Sequence, residues 1–158
     1  MIKLNNPFRE HSNYNCFGCS PSNNLGLKME FHADGDEVVS TWSPGEAFEG
    51  WHDVLHGGIQ ATLIDEIASW VILTQLETVG VTYQLNTKYR SPVNISKGSI
   101  TLRAHLVEQK RRIATIRVEL QDGEGKLCTE GMVDYFVAGK EIAAELYHYP
   151  GREAFFKQ

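Results

Sequence analysis

Two adjacent carboxylates, Asp65 and Glu66, stand in the middle of a strongly apolar stretch, His56–Trp70 (HGGIQATLIDEIASW). Burying an ionised carboxylate without partners is costly. Such groups are therefore paired, shifted in pKa, or kept for chemistry. One helical step turns a side chain by about 100°, so the two acids face different ways. Gly58, Ala61 and Ala68 share the face of Asp65, and all are small enough to leave room beside it. Glu66 has Thr62, Ser69 and Trp70 as helical neighbours and is expected in ordinary hydrogen bonds. The pair Gly57-Gly58 opens the helix without side chains. Its N–H groups then face a bound oxygen, reinforced by the helix dipole. The chemistry offered is an anion-stabilising mouth with a carboxylate two turns further in. The competing reading is a glycine turn before a core helix, with both acids neutralised by cations elsewhere.

The element that carries these residues runs from Gly57 to about Leu76 or Glu77, since Ile59, Leu63, Ile64, Ile67, Trp70, Val71, Ile72 and Leu76 make it apolar almost all round. Gly80 is the expected stop. Strands surround it in sequence. Leu27–Ala33 alternates apolar and polar residues, Asp34-Gly35-Asp36 reads as a hairpin turn, and Glu37–Trp42 is the partner strand. Val81–Tyr89, Ser99–Glu108, Ile113–Gln121 and Leu127–Val137 follow, with turns at Gln109–Arg111 and Asp122–Gly125. The expected fold is α+β: one long helix wrapped by a curved antiparallel sheet of about six strands. One helix cannot cover both faces of such a sheet, so association through sheet edges is expected.

A chain of 158 residues, 42% hydrophobic and 22% charged, is an ordinary globular domain. The expected division is an N-terminal extension over 1–26, the main domain over 27–138 and a tail over 139–158, with a short helix near Glu141–Tyr147. The net charge of −5 argues against nucleic acid as a partner. Asp65 and Glu66 interrupt the longest apolar run, so no membrane span is expected. The N-terminus has no apolar segment of a secretory signal, and three cysteines make no disulfide framework. A cytoplasmic protein is expected. Cys16-Phe-Gly-Cys19 has the spacing of a zinc or redox pair. Zinc takes four ligands and His11 supplies only a third, so the expectation is a tight turn with two packed thiols and no metal.

These residues together resemble the hot-dog-fold acyl-CoA thioesterases, in particular the group typified by phenylacetate-degradation thioesterases. The resemblance rests on His56-Gly57-Gly58, Leu63-Ile64-Asp65-Glu66, Val81-Thr82, Tyr89-Arg90-Ser91-Pro92 and the lead-in Cys16-Phe-Gly-Cys19…Gly26-Leu27. It implies a hot-dog fold and hydrolysis of an acyl or aryl thioester of coenzyme A without a cofactor. It further implies that Gly57 N–H, helped by Gly58, polarises the carbonyl and that Asp65 is base or nucleophile. His56 would shape the mouth, and Thr82 would hold the attacking water. In that group the site forms across a homodimer, itself able to pair into a tetramer. Some relatives carry Asn or Gln where this chain has Gly50, so either His52 substitutes or the oxyanion site rests on backbone N–H groups.

Thioester hydrolysis needs an activated water or nucleophile and a stabilised oxyanion. No G-x-S-x-G elbow and no metal-binding HExxH motif is present. Lys88, Arg90, Ser91, Arg111 and Arg112 are the candidates to meet coenzyme A phosphates, and the acyl group is expected in the space left by Ala61 and Ala68. Two alternatives are a non-catalytic acyl-CoA-binding module and a hot-dog dehydratase or hydratase.

Overall fold

The computed structural model describes residues 1–157. Its strands are β1 (Ile2–Lys3), β2 (His32–Asp34), β3 (Glu37–Trp42), β4 (Gly80–Tyr89), β5 (Ile100–Lys110), β6 (Ile113–Gln121) and β7 (Leu127–Val137). The helices are α1 (Gly57–Val71), α2 (Lys140–Tyr147) and α3 (Glu153–Phe156). All seven strands join one antiparallel sheet in the order β1-β2-β3-β5-β6-β7-β4, with α1 packed across it. This is the hot-dog arrangement. The alternation that marks β5 and β6 as strands also sets their buried face: Ile100, Leu102, Ala104, Ala114, Ile116, Val118 and Leu120 are sealed under α1.

The sheet has seven strands rather than six because the N-terminus adds one, with Ile2 opposite Ala33. The strand expected over Leu27–Ala33 is paired only from His32. Leu27, Met29 and Phe31 are buried as the alternation requires. Leu27 and Met29, however, donate their N–H groups to Phe17 and Gly18 carbonyls, not to a neighbouring strand. Period-two burial needs an extended chain, and here a loop supplies the partners.

The segment before residue 27 is not loose. Leu4 and Cys19 join the main core, and the N–H groups of Leu4 and Asn5 donate to Phe31 and Phe155 carbonyls at 2.9 and 2.7 Å. Phe155, in the tail, is fully buried and meets Trp70 edge-on at 5.7 Å; Trp70 in turn stacks on Phe31 at 4.3 Å. Both chain ends thus close over the far end of α1. That end widens into a π-turn at Ile72–Leu76 and stops at Glu77, which adopts φ +56, before Gly80 is reached. Helix ends leave carbonyls without partners. Here Tyr149 Oη donates to Leu73 O at 2.7 Å and Arg152 Nε to Thr74 O at 2.9 Å.

Two details hold α1 close to the sheet. A Cβ at Gly131, in mid-β7, would lie 2.5 Å from Ile64 Cγ2, so the helix rests directly on bare backbone there. Gln60, buried on the helix, donates to Leu55 O at 3.0 Å and accepts from Thr129 Oγ1 at 2.5 Å.

Candidate active site

Asp65 sits where α1 passes the end of β4. Thr82 Oγ1 donates to Asp65 Oδ1 at 2.9 Å. Tyr135 Oη, on neighbouring β7, approaches the same Oδ1 at 2.6 Å and the Asp65 main-chain oxygen at 2.5 Å. Among the described residues nothing donates to Asp65 Oδ2, and no Lys or Arg forms an ion pair with this carboxylate. Burial first, and then the Asp65 charge, holds the Tyr135 phenol far above the ordinary tyrosine range. Tyr135 is therefore a standing donor and not a base. Two hydroxyls fix one carboxylate oxygen and leave the other for a water. Tyr135 escaped the sequence reading because an aromatic on the inward face of a strand reads as core; only its polar tip hints at more.

The mouth of α1 is tighter than expected. His56 is the N-cap, and its Nδ1 accepts the Gly58 N–H at 2.9 Å. Gly58 is thereby removed from the pair of open donors, leaving Gly57 N–H without a partner among the described residues. The Gly57 carbonyl accepts Tyr89 Oη at 2.7 Å, so the exposed end of β4 latches the glycine turn. Gly50 packs beside His56, leaving space for its ring. His52 is exposed beside this mouth. Asp53 instead ties loops together, accepting from the Ser96 N–H at 2.8 Å and hydroxyl at 2.7 Å, bonds that hold its pKa below the usual carboxylate range.

A β-bulge lets one strand serve both places. Thr82 and Tyr89 are seven residues apart, an odd spacing that a regular strand would split between faces. The β4–β7 register shifts between Thr82 and Gln84. Thr82 then opposes Tyr135, while Leu85, Thr87 and Tyr89 oppose Val133, Gly131 and Thr129. The inserted residue is Tyr83, and both contacts with α1 follow from it.

The proposed binding residues do not form one cluster. Ala68 is fully buried in the core, while Ala61 remains partly open. Lys88 and Arg90 line a shallow cleft of about 260 Å³ with Arg117 and Glu130. Arg90 pairs with Glu130, and this bond holds the Glu130 carboxyl below its ordinary value. Ser91, just beyond, is held by its N–H on Cys128 O at 3.1 Å. Arg111 and Arg112 lie at the β5–β6 turn, beside the other end of β4, roughly 20 Å away at strand rise. One chain cannot bring both basic groups to a single diphosphate.

Glu66 faces away from Asp65, as the helical step requires. Its neighbours are not the expected ones. The Ser69 hydroxyl binds the Glu66 main-chain oxygen, while the carboxylate meets the Cys16 thiol at 3.5 Å. Burial pushes this acid up to about 8, with the charge of Cys16 adding to the effect.

Comparison with known proteins agrees with this architecture. Residues 52–129 match the family described as Thioesterase superfamily. Human acyl-coenzyme A thioesterase 13 is 35% identical over 79 residues, which is 49% of this chain and 56% of that one. The chain thus spans little more than half the length of the curated relatives it matches. A thioesterase from Haemophilus influenzae superposes with a TM-score of 0.67 at 26% identity, over 77% of this chain and 86% of that one. A hypothetical thioesterase from Streptococcus pneumoniae, solved with coenzyme A, gives 0.64 at 25% identity, over 70% and 89%. By its fold the chain is a hot-dog protein, and its central stretch over 52–129 is similar to the thioesterase superfamily.

Proposed function

We propose that the chain is an acyl-CoA thioesterase that uses Asp65 as base or nucleophile and Gly57 N–H as oxyanion donor. The observation that carries this reading is Asp65 itself: a carboxylate with one oxygen pinned by two hydroxyls, the other free, and no cation beside it. The similar proteins suggest the substrate class, since one is an acyl-CoA thioesterase and another was solved with coenzyme A. In the water route, Asp65 takes a proton from water, the resulting hydroxide attacks the thioester carbonyl, and the Gly57 N–H steadies the oxyanion. Collapse of that intermediate expels the coenzyme A thiolate, which is then protonated. An oxyanion donor of this kind is worth about 3 kcal/mol. In the direct route, Asp65 attacks the carbonyl, and the C–S bond breaks to release the coenzyme A thiolate, which is protonated. Water then cleaves the resulting anhydride to free the acid and Asp65; single-turnover hydrolysis in heavy-oxygen water separates the two by where the label enters first.

The site needs two copies of the chain. Asp65 lies eight residues beyond Gly57, about 12 Å along the helix. One carbonyl cannot touch both in the same chain. β4, the strand that carries Thr82, ends the sheet with an unpaired edge, and Val81, Tyr83 and Leu85 are exposed on it. Pairing of two such edges brings Asp65 of one chain toward the Gly57 mouth of the other and makes the active form a homodimer, or a tetramer built from dimers. The His56-Gly57-Gly58, Asp65 and Ser91-Pro92 pattern supports a place in the phenylacetate-degradation group of thioesterases. Three free cysteines suit a reducing cytoplasm.

The decisive experiment is a hydrolysis screen over short, medium, long and aromatic acyl-CoAs, run beside Asp65→Asn. Wild type should turn over at least one class, and Asp65→Asn should lose roughly a thousandfold in kcat while still binding acyl-CoA. Binding without turnover by wild type would make the chain a binding module. The dehydratase reading is disfavoured by His56, whose Nδ1 is committed to Gly58 and which pairs with no carboxylate among the described residues.

A further inference from the structure

In the sequence His11 was the candidate third ligand beside Cys16 and Cys19, but it does not join them. His11 stacks on His148 at 5.2 Å instead. The third group comes from α1. The Cys16 and Cys19 sulfurs and a Glu66 carboxylate oxygen all lie within 4.8 Å of one another. We propose that Cys16, Cys19 and Glu66 form a site for a thiophilic divalent cation of the zinc class, with its fourth position open.

The geometry is near that of an occupied site. Zinc–sulfur and zinc–oxygen bonds at a tetrahedral angle put sulfur and oxygen about 3.6 Å apart. Cys16 Sγ stands 3.5 Å from both Glu66 oxygens. Gly18 makes the approach possible, because any side chain there would overlap the Glu66 carboxylate. The loop is held in place by backbone bonds from Ser20 N to Cys16 O at 3.1 Å and Met29 N to Gly18 O at 2.9 Å. Tyr14 Oη lies 2.8 Å from Cys19 Sγ, and Asn6 Nδ2 donates to Tyr14 Oη at 3.0 Å. Together they supply the outer hydrogen bonds that orient metal ligands.

Charge points the same way. On metal binding the two thiols and the Glu66 carboxyl would release their protons and together carry three negative charges, and among the described residues no Lys, Arg or His pairs with Glu66. A dication offsets most of that charge where no side chain does. A cavity of about 400 Å³, lined by Tyr14, Cys16, Cys19, Glu66 and Trp70, opens onto the cluster and gives both an entry path and room for a fourth ligand such as water. The cation would clamp the N-terminal segment to the helix turn next to Asp65. This inference stands independently of the thioesterase reading.

The test uses the untagged, fully reduced full-length protein. It is loaded with zinc, freed of excess and measured by elemental analysis, then loaded with cobalt(II) and measured by absorption. A single zinc per chain and a thiolate-to-cobalt charge-transfer band are expected. Cys16→Ser/Cys19→Ser should lose both, and Cys128→Ser should keep both. Glu66→Gln should weaken zinc binding by more than the roughly ten- to hundredfold that an outer-sphere change produces. If reduced wild type takes up no stoichiometric zinc and shows no cobalt–thiolate band, the site does not exist. If Glu66→Gln binds zinc as tightly as wild type, the carboxylate is not a ligand and the proposal fails. Should any variant misfold by circular dichroism, the wild-type stoichiometry and cobalt band decide alone.

Discussion

Tyr135 governs Asp65 more closely than any residue singled out by type and spacing. Its hydroxyl is the shorter of two bonds to Oδ1, and it is buried where Thr82 is exposed. Tyr135→Phe keeps the ring that packs under α1 and removes only the donor. A lost hydrogen bond to a charged group is worth about 2 kcal/mol, so kcat should fall by roughly thirtyfold with KM little changed; Thr82→Ala should cost less. Steady-state kinetics on the two variants check the order, and equal losses would mean the exposed hydroxyl matters as much as the buried one. Asp65 and Gly57 stood out in the sequence because a carboxylate in an apolar helix and a glycine pair announce themselves by type, whereas Thr82 was named only through the family resemblance. Tyr135 did not stand out, since its partner lies 70 residues away. For Gly58 and Ala68, spacing says only that they are small; the fold adds that one is bonded to His56 and the other sealed.

At the scale of elements, α1 depends on how close β7 lets it come. Gly131→Ala would place a methyl against Ile64, a fully buried residue in the middle of the interface. Overpacking of this kind costs about 1–3 kcal/mol. Thermal unfolding should therefore show a Tm lowered by several degrees, with activity falling as Asp65 moves with its helix. An unchanged Tm would mean the helix yields without cost. The strands and α1 were readable from period and composition, because burial on one face imposes both. What sequence could not place were the non-repetitive joins. These include the π-turn before Glu77, the loop that satisfies Leu27 and Met29, the tail carbonyl caps from Tyr149 and Arg152, and the bulge at Tyr83. Each is a single local choice with no period to reveal it.

At the scale of the whole molecule, the proposed pairing of two chains would use the exposed edge of β4. Val81→Lys puts a charge on that edge, away from the contacts of Thr82 and Tyr89, so the chain itself should fold. Like charges meeting across an antiparallel pair oppose it. Light scattering should show wild type as a dimer or larger. The variant should dissociate at lower dilution and lose specific activity in parallel. A monomeric wild type with full activity would end the shared-site reading. The extra residue in β4 also limits how this protein can drift. Edge strands ordinarily tolerate changes of length. Here a one-residue insertion or deletion between Thr82 and Tyr89 rotates one of them away from α1. Descendants of this chain are free to substitute along the strand. They cannot alter its count by one without giving up either the hydroxyl beside the acid or the latch on the glycine turn.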